Sequence, residues 1–281
     1  MRDNSKRFAA GAEAPPAVAQ DEETRSPLDF SVPTEIVDLP SKGRFYSEVH
    51  PLHKKDSIEI KFMTAKDEDI LTSPSLLKKG IAIDRFLSNV ILDRTVRVPS
   101  LLSGDKNAIL VASRINGFGA DYTTKVTCPS CATVSENTFD LNEITMYDGN
   151  DYGDYDVTQT DNRTFIIKLP RSGFEFEVRL LTGKDETDLL AKMQSNKKSK
   201  TYEPNLTDQL KMIAVSINGN EDKTLIHRAI DALPAFDSRY LRAAYAKIQP
   251  GLDMTQEFSC DACGFEKEVE MPLTVDFFWS K

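Results

Sequence analysis

Cysteine is scarce in this chain. Four occur in 281 residues, and all of them fall in two C-x-x-C pairs, Cys128/Cys131 and Cys260/Cys263. So few cysteines exclude a disulfide-dense scaffold. Histidine is scarcer still, with only His50, His53 and His227, and no H-E-x-x-H run exists. The chain also has no glycine-rich phosphate loop and no G-x-S-x-G elbow, so the common sequence signatures of nucleotide-binding and hydrolytic sites are missing. Positive charge is in deficit: 35 Lys and Arg stand against 44 Asp and Glu, a net charge of −9. Non-specific binding of duplex nucleic acid rests on basic patches that neutralise phosphates, so the balance argues against nucleic acid as the main partner. No apolar run reaches the length of a membrane span. Arg2, Lys6 and Arg7 are not followed by an apolar stretch, so no signal peptide is expected.

What is present is an ordinary globular mixture, 40% apolar and 28% charged, long enough for one large domain or two ordinary ones. Residues 1–30 are rich in Ala, Pro, Glu and Asp without periodicity, and are expected to form a disordered leader. From Thr34 the pattern changes. Leu39-Pro40-Ser41-Lys42-Gly43 reads as a turn punctuated by proline and glycine. Ser57 to Met63 alternates with period two, as a half-buried strand does. Thr64 and Asp67 then stand at N-cap and capping-box spacing, so the acidic run Asp67-Glu68-Asp69 opens a helix. Helical spacing continues over residues 80–92 and again over 105–115, where Asn116-Gly117 marks a stop.

These signals recur. Leu169-Pro170-Arg171-Ser172-Gly173 repeats the turn, Phe176 to Leu181 the strand, and Thr182-Gly183-Lys184-Asp185-Glu186 the helix start. A Lys/Ser-rich insertion, 195–200, precedes a helical region from 206 to 215. Asp222 and Asp237-Ser238 read as caps of two further helices, the second running from Arg239 to Ile248. Alternating stretches flank each cysteine pair, so each pair reads as the tight turn of a β-hairpin. The expected fold is therefore α+β, with two similar halves from an internal duplication. Each half has a strand, several helices and a C-x-x-C hairpin. The first spans 31–146 and the second 163–281, joined by an acidic linker, 147–162. That linker's Asp/Asn density lacks the order of a calcium loop.

Two hairpin turns supply four thiolates, the ligand set of a closed structural zinc site, and one ribbon-like site at Cys128, Cys131, Cys260 and Cys263 would join the halves. A thioredoxin-type redox pair is the rival reading. It needs C-x-x-C at a helix start, whereas both pairs here lie between strands. A zinc-ribbon nucleic-acid binder is a third, set against the acidic charge. No catalytic constellation is found, so the chain is expected not to be an enzyme.

The run Val37 to Tyr46, followed by Phe62 to Leu71, resembles the baseplate hub and hub-assembly protein family of T4-like tailed bacteriophages. The two C-x-x-C pairs look like those of its longer members. The resemblance covers residues 34–281. It implies a non-enzymatic tail protein located in the virion baseplate, or in the host cytoplasm during assembly. Its partners would be other baseplate or tail hub proteins. Expected docking positions are Leu39, Pro40, Gly43, Phe45 and Tyr46, the hairpin strands, and the C-terminal aromatics Phe277, Phe278 and Trp279, since three successive aromatics on a strand cannot all face inward.

Overall fold

The computed structural model describes residues 32–189, 206–271 and 275–278. The expected leader and the Lys/Ser-rich insertion lie outside them. β1 (Thr34–Asp38) and β2 (Ser57–Lys61) pair antiparallel, with Val37 opposite Ile58. Period-two alternation turns Val37, Ile58 and Ile60 into the core. Three helices follow: α1 (Ala65–Thr72), α2 (Pro74–Lys79) and α3 (Ala82–Val90). Ala82, Phe86, Leu87 and Val90 make the buried stripe of α3. α3 is the helix expected over 80–92, and the short α2, which the sequence pattern did not separate from α1, ends at Gly80 just before it. α4 (Ser103–Phe118) leads into β3 (Asp121–Thr127), β4 (Val134–Asp140) and β5 (Thr145–Tyr147).

In the second half, β6 (Val157–Gln159), β7 (Phe165–Lys168), β8 (Glu175–Val178) and β9 (Ala214–Ile217) form an antiparallel sheet in that order. Residues 183–189 are helical (α5), and α6 (Leu206–Ile213) precedes β9. The helix expected to reach Val215 stops at Ile213, where the chain joins β8 as a strand. α7 (Lys223–Asp231) is capped by the Asp222 carboxylate, as its position predicts. α8 (Ala235–Ile248), β10 (Gly251–Asp253), β11 (Thr255–Ser259) and β12 (Glu266–Glu270) complete the half. A single-turn helix, Val275–Phe278, seats Phe277 and Phe278 in the core.

One apolar core runs through both halves, from Val37 and Phe86 to Phe176 and Ile248. Residues before and after segment 147–162 meet through more than the cysteines. β5 pairs with β10, Phe45 packs 5.6 Å from Phe165, and the Ser103 and Gly183 amides donate across the junction to Leu181 and Leu101. The buried Lys106 ammonium lies 3.0 Å from Asp84 and 3.1 Å from Glu186. Segment 147–162, expected as a linker, is part of this body: Tyr147 lies in β5, Asp148 pairs with Lys42 at 3.3 Å, and β6 is an edge strand.

The two Leu-Pro-x-x-Gly turns are held in the same way. Asp105, in the first turn of α4, accepts from the Ser41 amide (2.9 Å), the Ser41 hydroxyl (2.6 Å) and the Tyr46 hydroxyl (2.7 Å). Asp237, in the first turn of α8, accepts from the Arg171 amide (3.1 Å) and the Ser172 amide (2.8 Å). Asp237 is not the cap its sequence position implied, and Asp105 is not the first residue of its helix; each helix starts two residues before its aspartate, and the carboxylate reaches back to the turn. At the next element, Asp67 accepts from the Thr64 amide and hydroxyl and faces Lys61 at 3.6 Å. Asp185 accepts from the Thr182 amide and hydroxyl and takes both ends of the Arg179 guanidinium at 2.7 Å.

Candidate metal centre

Hairpin β3–β4 is in register from Asp121 opposite Asp140 to Thr127 opposite Val134, and its connection carries Cys128 and Cys131. Hairpin β11–β12 runs from Thr255 opposite Glu270 to Ser259 opposite Glu266, and carries Cys260 and Cys263. Both are rooted in the core, the first by Tyr122 and Phe139, the second by Phe258. The Gln256 side-chain amide donates to the Asp140 carbonyl at 2.6 Å and ties one root to the other.

The two turns match bond for bond. Cys128 N–H donates to Thr133 O (2.9 Å), and Ala132 N–H returns to Cys128 O (2.9 Å). Cys260 N–H donates to Phe265 O (2.9 Å), and Gly264 N–H returns to Cys260 O (2.8 Å). Each turn closes through a left-handed residue, Ala132 at φ 59° and Gly264 at φ 66°. That conformation suits glycine and costs any other residue. Ala132→Gly is therefore expected to stabilise the fold by about 0.5–1 kcal/mol and Gly264→Ala to cost about 1 kcal/mol. Space around a new Cβ at 264 is open, so the second figure is purely conformational. Chemical denaturation of both variants measures the pair.

The turns bring four sulfurs together. All four Sγ atoms lie within 4.8 Å of one another. Cys128 Sγ is 3.7 Å from Cys263 Sγ, and Cys131 Sγ is 3.8 Å from Cys260 Sγ, in each case across the hairpins. The first cysteine of each pair is buried and the second exposed. Ser130 N–H approaches Cys128 Sγ at 3.4 Å. The contact between the Cys131 thiol and the Thr133 hydroxyl (3.2 Å), with the Thr133 backbone, holds the thiol down to about 6. Cys263, although drawn down by the Phe265 amide, is pushed up to about 12 by the sulfurs of Cys131, Cys260 and Cys128. Four thiolates this close repel one another, and a bound cation is what lets all of them ionise. A tetrahedral ion with metal–sulfur bonds of about 2.3 Å sets its sulfurs about 3.8 Å apart, the spacing of the two cross-hairpin pairs. Soft donors, spacing and paired turns all fit a metal ion.

The docking positions expected at the first turn and two of those expected at the C-terminus are buried, whereas the hairpin strands carry exposed residues. Leu39, Pro40, Gly43, Phe45 and Tyr46 are buried within the chain, and so are Phe277 and Phe278. Phe277 stacks edge-on to Tyr122 and Phe278 to Phe86, so the aromatics fill the core from a helical turn that lets both face inward. Trp279 lies outside the described residues. Sequence reasoning missed Asp105 and Asp237, since nothing in a sequence marks an aspartate as buried. A recurring Asp after a recurring Leu-Pro-x-x-Gly was the available signal.

The Ser100–His50 contact has the outline of a nucleophile and its base, with Nε2 and Oγ 2.8 Å apart. Its hydrogen bonds run the wrong way. Leu52 N–H donates to Nδ1, so Nε2 carries the proton and donates to Ser100, whose hydroxyl donates to Arg97 O. The imidazole, stacked on Tyr46 at 4.2 Å, fastens the loop. Among the described residues no helix is long and apolar enough to cross a membrane.

The described residues form a mixed helix-and-strand body in which two cysteine turns bring four sulfurs together in an arrangement compatible with a metal ion. The family described as T4 bacteriophage base plate protein matches residues 33–279, and the chain belongs to that family. Membership places it among the structural proteins of a phage tail baseplate, where its neighbours are other phage structural proteins. No curated protein and no solved structure matches the chain.

Proposed function

We propose that the chain is a non-enzymatic component of the baseplate hub or of its assembly, working by docking to other tail hub proteins. Its two C-x-x-C hairpins are clasped by one structural zinc ion at Cys128, Cys131, Cys260 and Cys263. The observation that carries the zinc reading is the meeting of sulfurs 135 and 129 positions apart in sequence, on turns that match bond for bond. Four protein thiolates leave no open coordination position, so the ion holds structure and activates no water. The matched turns, the Asp105 and Asp237 contacts and the Thr64/Asp67 and Thr182/Asp185 pairs support an internal duplication, with halves at 31–146 and 163–281.

Metal analysis and Cys260→Ser test the zinc. The purified chain is expected to carry one zinc per molecule. The variant should lack it and melt roughly 5–10 °C lower, a fall of about 3 kcal/mol in a chain of this size. A chain without zinc, or a variant of unchanged melting temperature, would sink the clasp. Co-purification with tail hub proteins tests the docking role separately, and its failure with zinc bound would remove that half alone.

A further inference from the structure

We infer that the four-cysteine site is an oxidisable clasp. Cys131 and Cys263 react with peroxide, and the disulfides Cys131–Cys260 and Cys128–Cys263 replace the metal as the link between the hairpins. The inference rests on the zinc reading for its starting state and on the sulfur geometry for its outcome.

The four sulfurs divide by exposure. Cys131 and Cys263 are open to solvent, while Cys128 and Cys260 are 1% exposed. Each hairpin therefore offers one sulfur that a small oxidant can reach and one that it cannot. Each reachable sulfur has an unreachable one from the opposite hairpin beside it: Cys260 is 3.8 Å from Cys131, and Cys128 is 3.7 Å from Cys263. An accessible thiolate with a second thiol at hand is the arrangement of oxidation followed by resolution.

Chemically, the Cys131 thiolate attacks one peroxide oxygen. The O–O bond breaks, a sulfenic acid forms and hydroxide departs. The Cys260 thiolate then attacks the sulfenic sulfur and expels a second hydroxide as the S–S bond forms. Cys263 and Cys128 follow the same course. Two peroxides thus take four electrons from four thiolates. They yield two disulfides, four hydroxides that buffer protons convert to water, and one released divalent ion.

Geometry favours bonds between hairpins over bonds within them. A disulfide needs its sulfurs at about 2.04 Å, so each cross pair closes by about 1.7 Å, within reach of side-chain rotation. A bond between Cys128 and Cys131 would instead rearrange a turn fixed by the Cys128–Thr133 and Ala132–Cys128 backbone bonds, and the second turn is fixed alike. Cross pairing leaves both turns intact and the hairpins still joined. A virion protein made where thiols stay reduced, and then released, would exchange a metal clasp for a covalent one without opening the junction.

The test uses the full-length zinc-loaded chain titrated with hydrogen peroxide. Zinc release is followed with a chromogenic chelator, and disulfides are read by non-reducing peptide mapping. Two equivalents of peroxide per zinc are expected. Mapping should show peptides linked Cys128–Cys263 and Cys131–Cys260, and the oxidised chain should melt within a few degrees of the zinc form and above the reduced, chelator-treated chain. Cys131→Ser should still form Cys128–Cys263 and no other bond. Bonds inside either hairpin, a Cys131–Cys263 bond, sulfinic acids in place of disulfides, or zinc retained at excess peroxide would each overturn the inference. If the chain as purified holds no zinc, the clasp of the preceding section fails. The mapping then still decides the pairing from the free thiols.

Discussion

Gly43→Ala is expected to destabilise the chain by about 3–5 kcal/mol, whereas Gly173→Ala is expected to cost only about 1–2 kcal/mol. The two glycines end matching Leu-Pro-x-x-Gly turns and share a left-handed conformation, φ 68° and φ 70°. Conformation alone therefore predicts equal costs. Packing separates them. A Cβ on Gly43 would lie 2.4 Å from both the Leu52 carbonyl oxygen and the Lys55 nitrogen, and 2.7 Å from the Lys55 carbonyl oxygen. All three are backbone atoms, so no side chain can swing aside. They belong to the loop that carries Phe45, Tyr46 and Leu52 into the core. Its Lys54 amide also donates to the Gly43 carbonyl at 3.0 Å, so displacing the loop breaks that bond as well. A Cβ on Gly173 meets nothing within 4 Å. Urea denaturation of the two variants under one condition gives the comparison. Equal losses would show that the first loop yields freely and that only the turn conformation matters.

The contrast also shows where the sequence was informative. Local signals with a fixed spacing came through. Thr64 with Asp67, the Asp222 cap, the period-two strand at Ser57–Lys61 and the alternation on each side of the cysteines all correspond to observed bonds or pairings. The order of signals around the two turns was legible for the same reason. Burial was not. Leu39, Phe45 and Tyr46 look like an exposed aromatic turn in one dimension, yet the loop folds them inward because His50 stacks on Tyr46 and Asp105 holds its hydroxyl. Phe277 and Phe278 were read as strand residues, for which adjacent side chains face opposite ways; a helical turn places both inside. Helix starts also moved. Asp105 and Asp237 have cap chemistry, but each bonds a turn tens of residues away, and a long-range partner outweighs a local preference. The candidate metal centre was legible in ligand identity. Its convergence was expected too, from two hairpin turns each supplying half a tetrahedron, and the four sulfurs do meet.

Asp105→Ala is expected to cost about 3–5 kcal/mol, because it strands three donors in the core. The Ser41 amide, the Ser41 hydroxyl and the Tyr46 hydroxyl would all lose their acceptor. Asp105→Asn should cost only about 1 kcal/mol at neutral pH, since its oxygen still accepts from Ser41 and both hydroxyls can turn to accept from its amide. The pH dependence carries more information. Burial pushes the Asp105 carboxyl above the ordinary value of 3.8, against the pull of its bonds from Ser41 and Tyr46. A raised folded-state value means a contribution fully present below 3.8 and lost as pH rises through the folded value. Asp185 does the reverse. Burial pushes it up, but the Arg179 guanidinium and the Thr182 bonds bring it down to about 2. Its contribution is present above 3.8 and lost as pH falls toward 2. Because Arg179 is partly open to solvent, that contribution is about 1–2 kcal/mol. Stability measured against pH should therefore diverge in opposite directions. As pH rises from 3 to 7 the native chain loses ground relative to Asp105→Asn and gains ground relative to Asp185→Asn. Parallel curves for the two variants would mean that Asp105 is solvated and that its turn is held by packing alone.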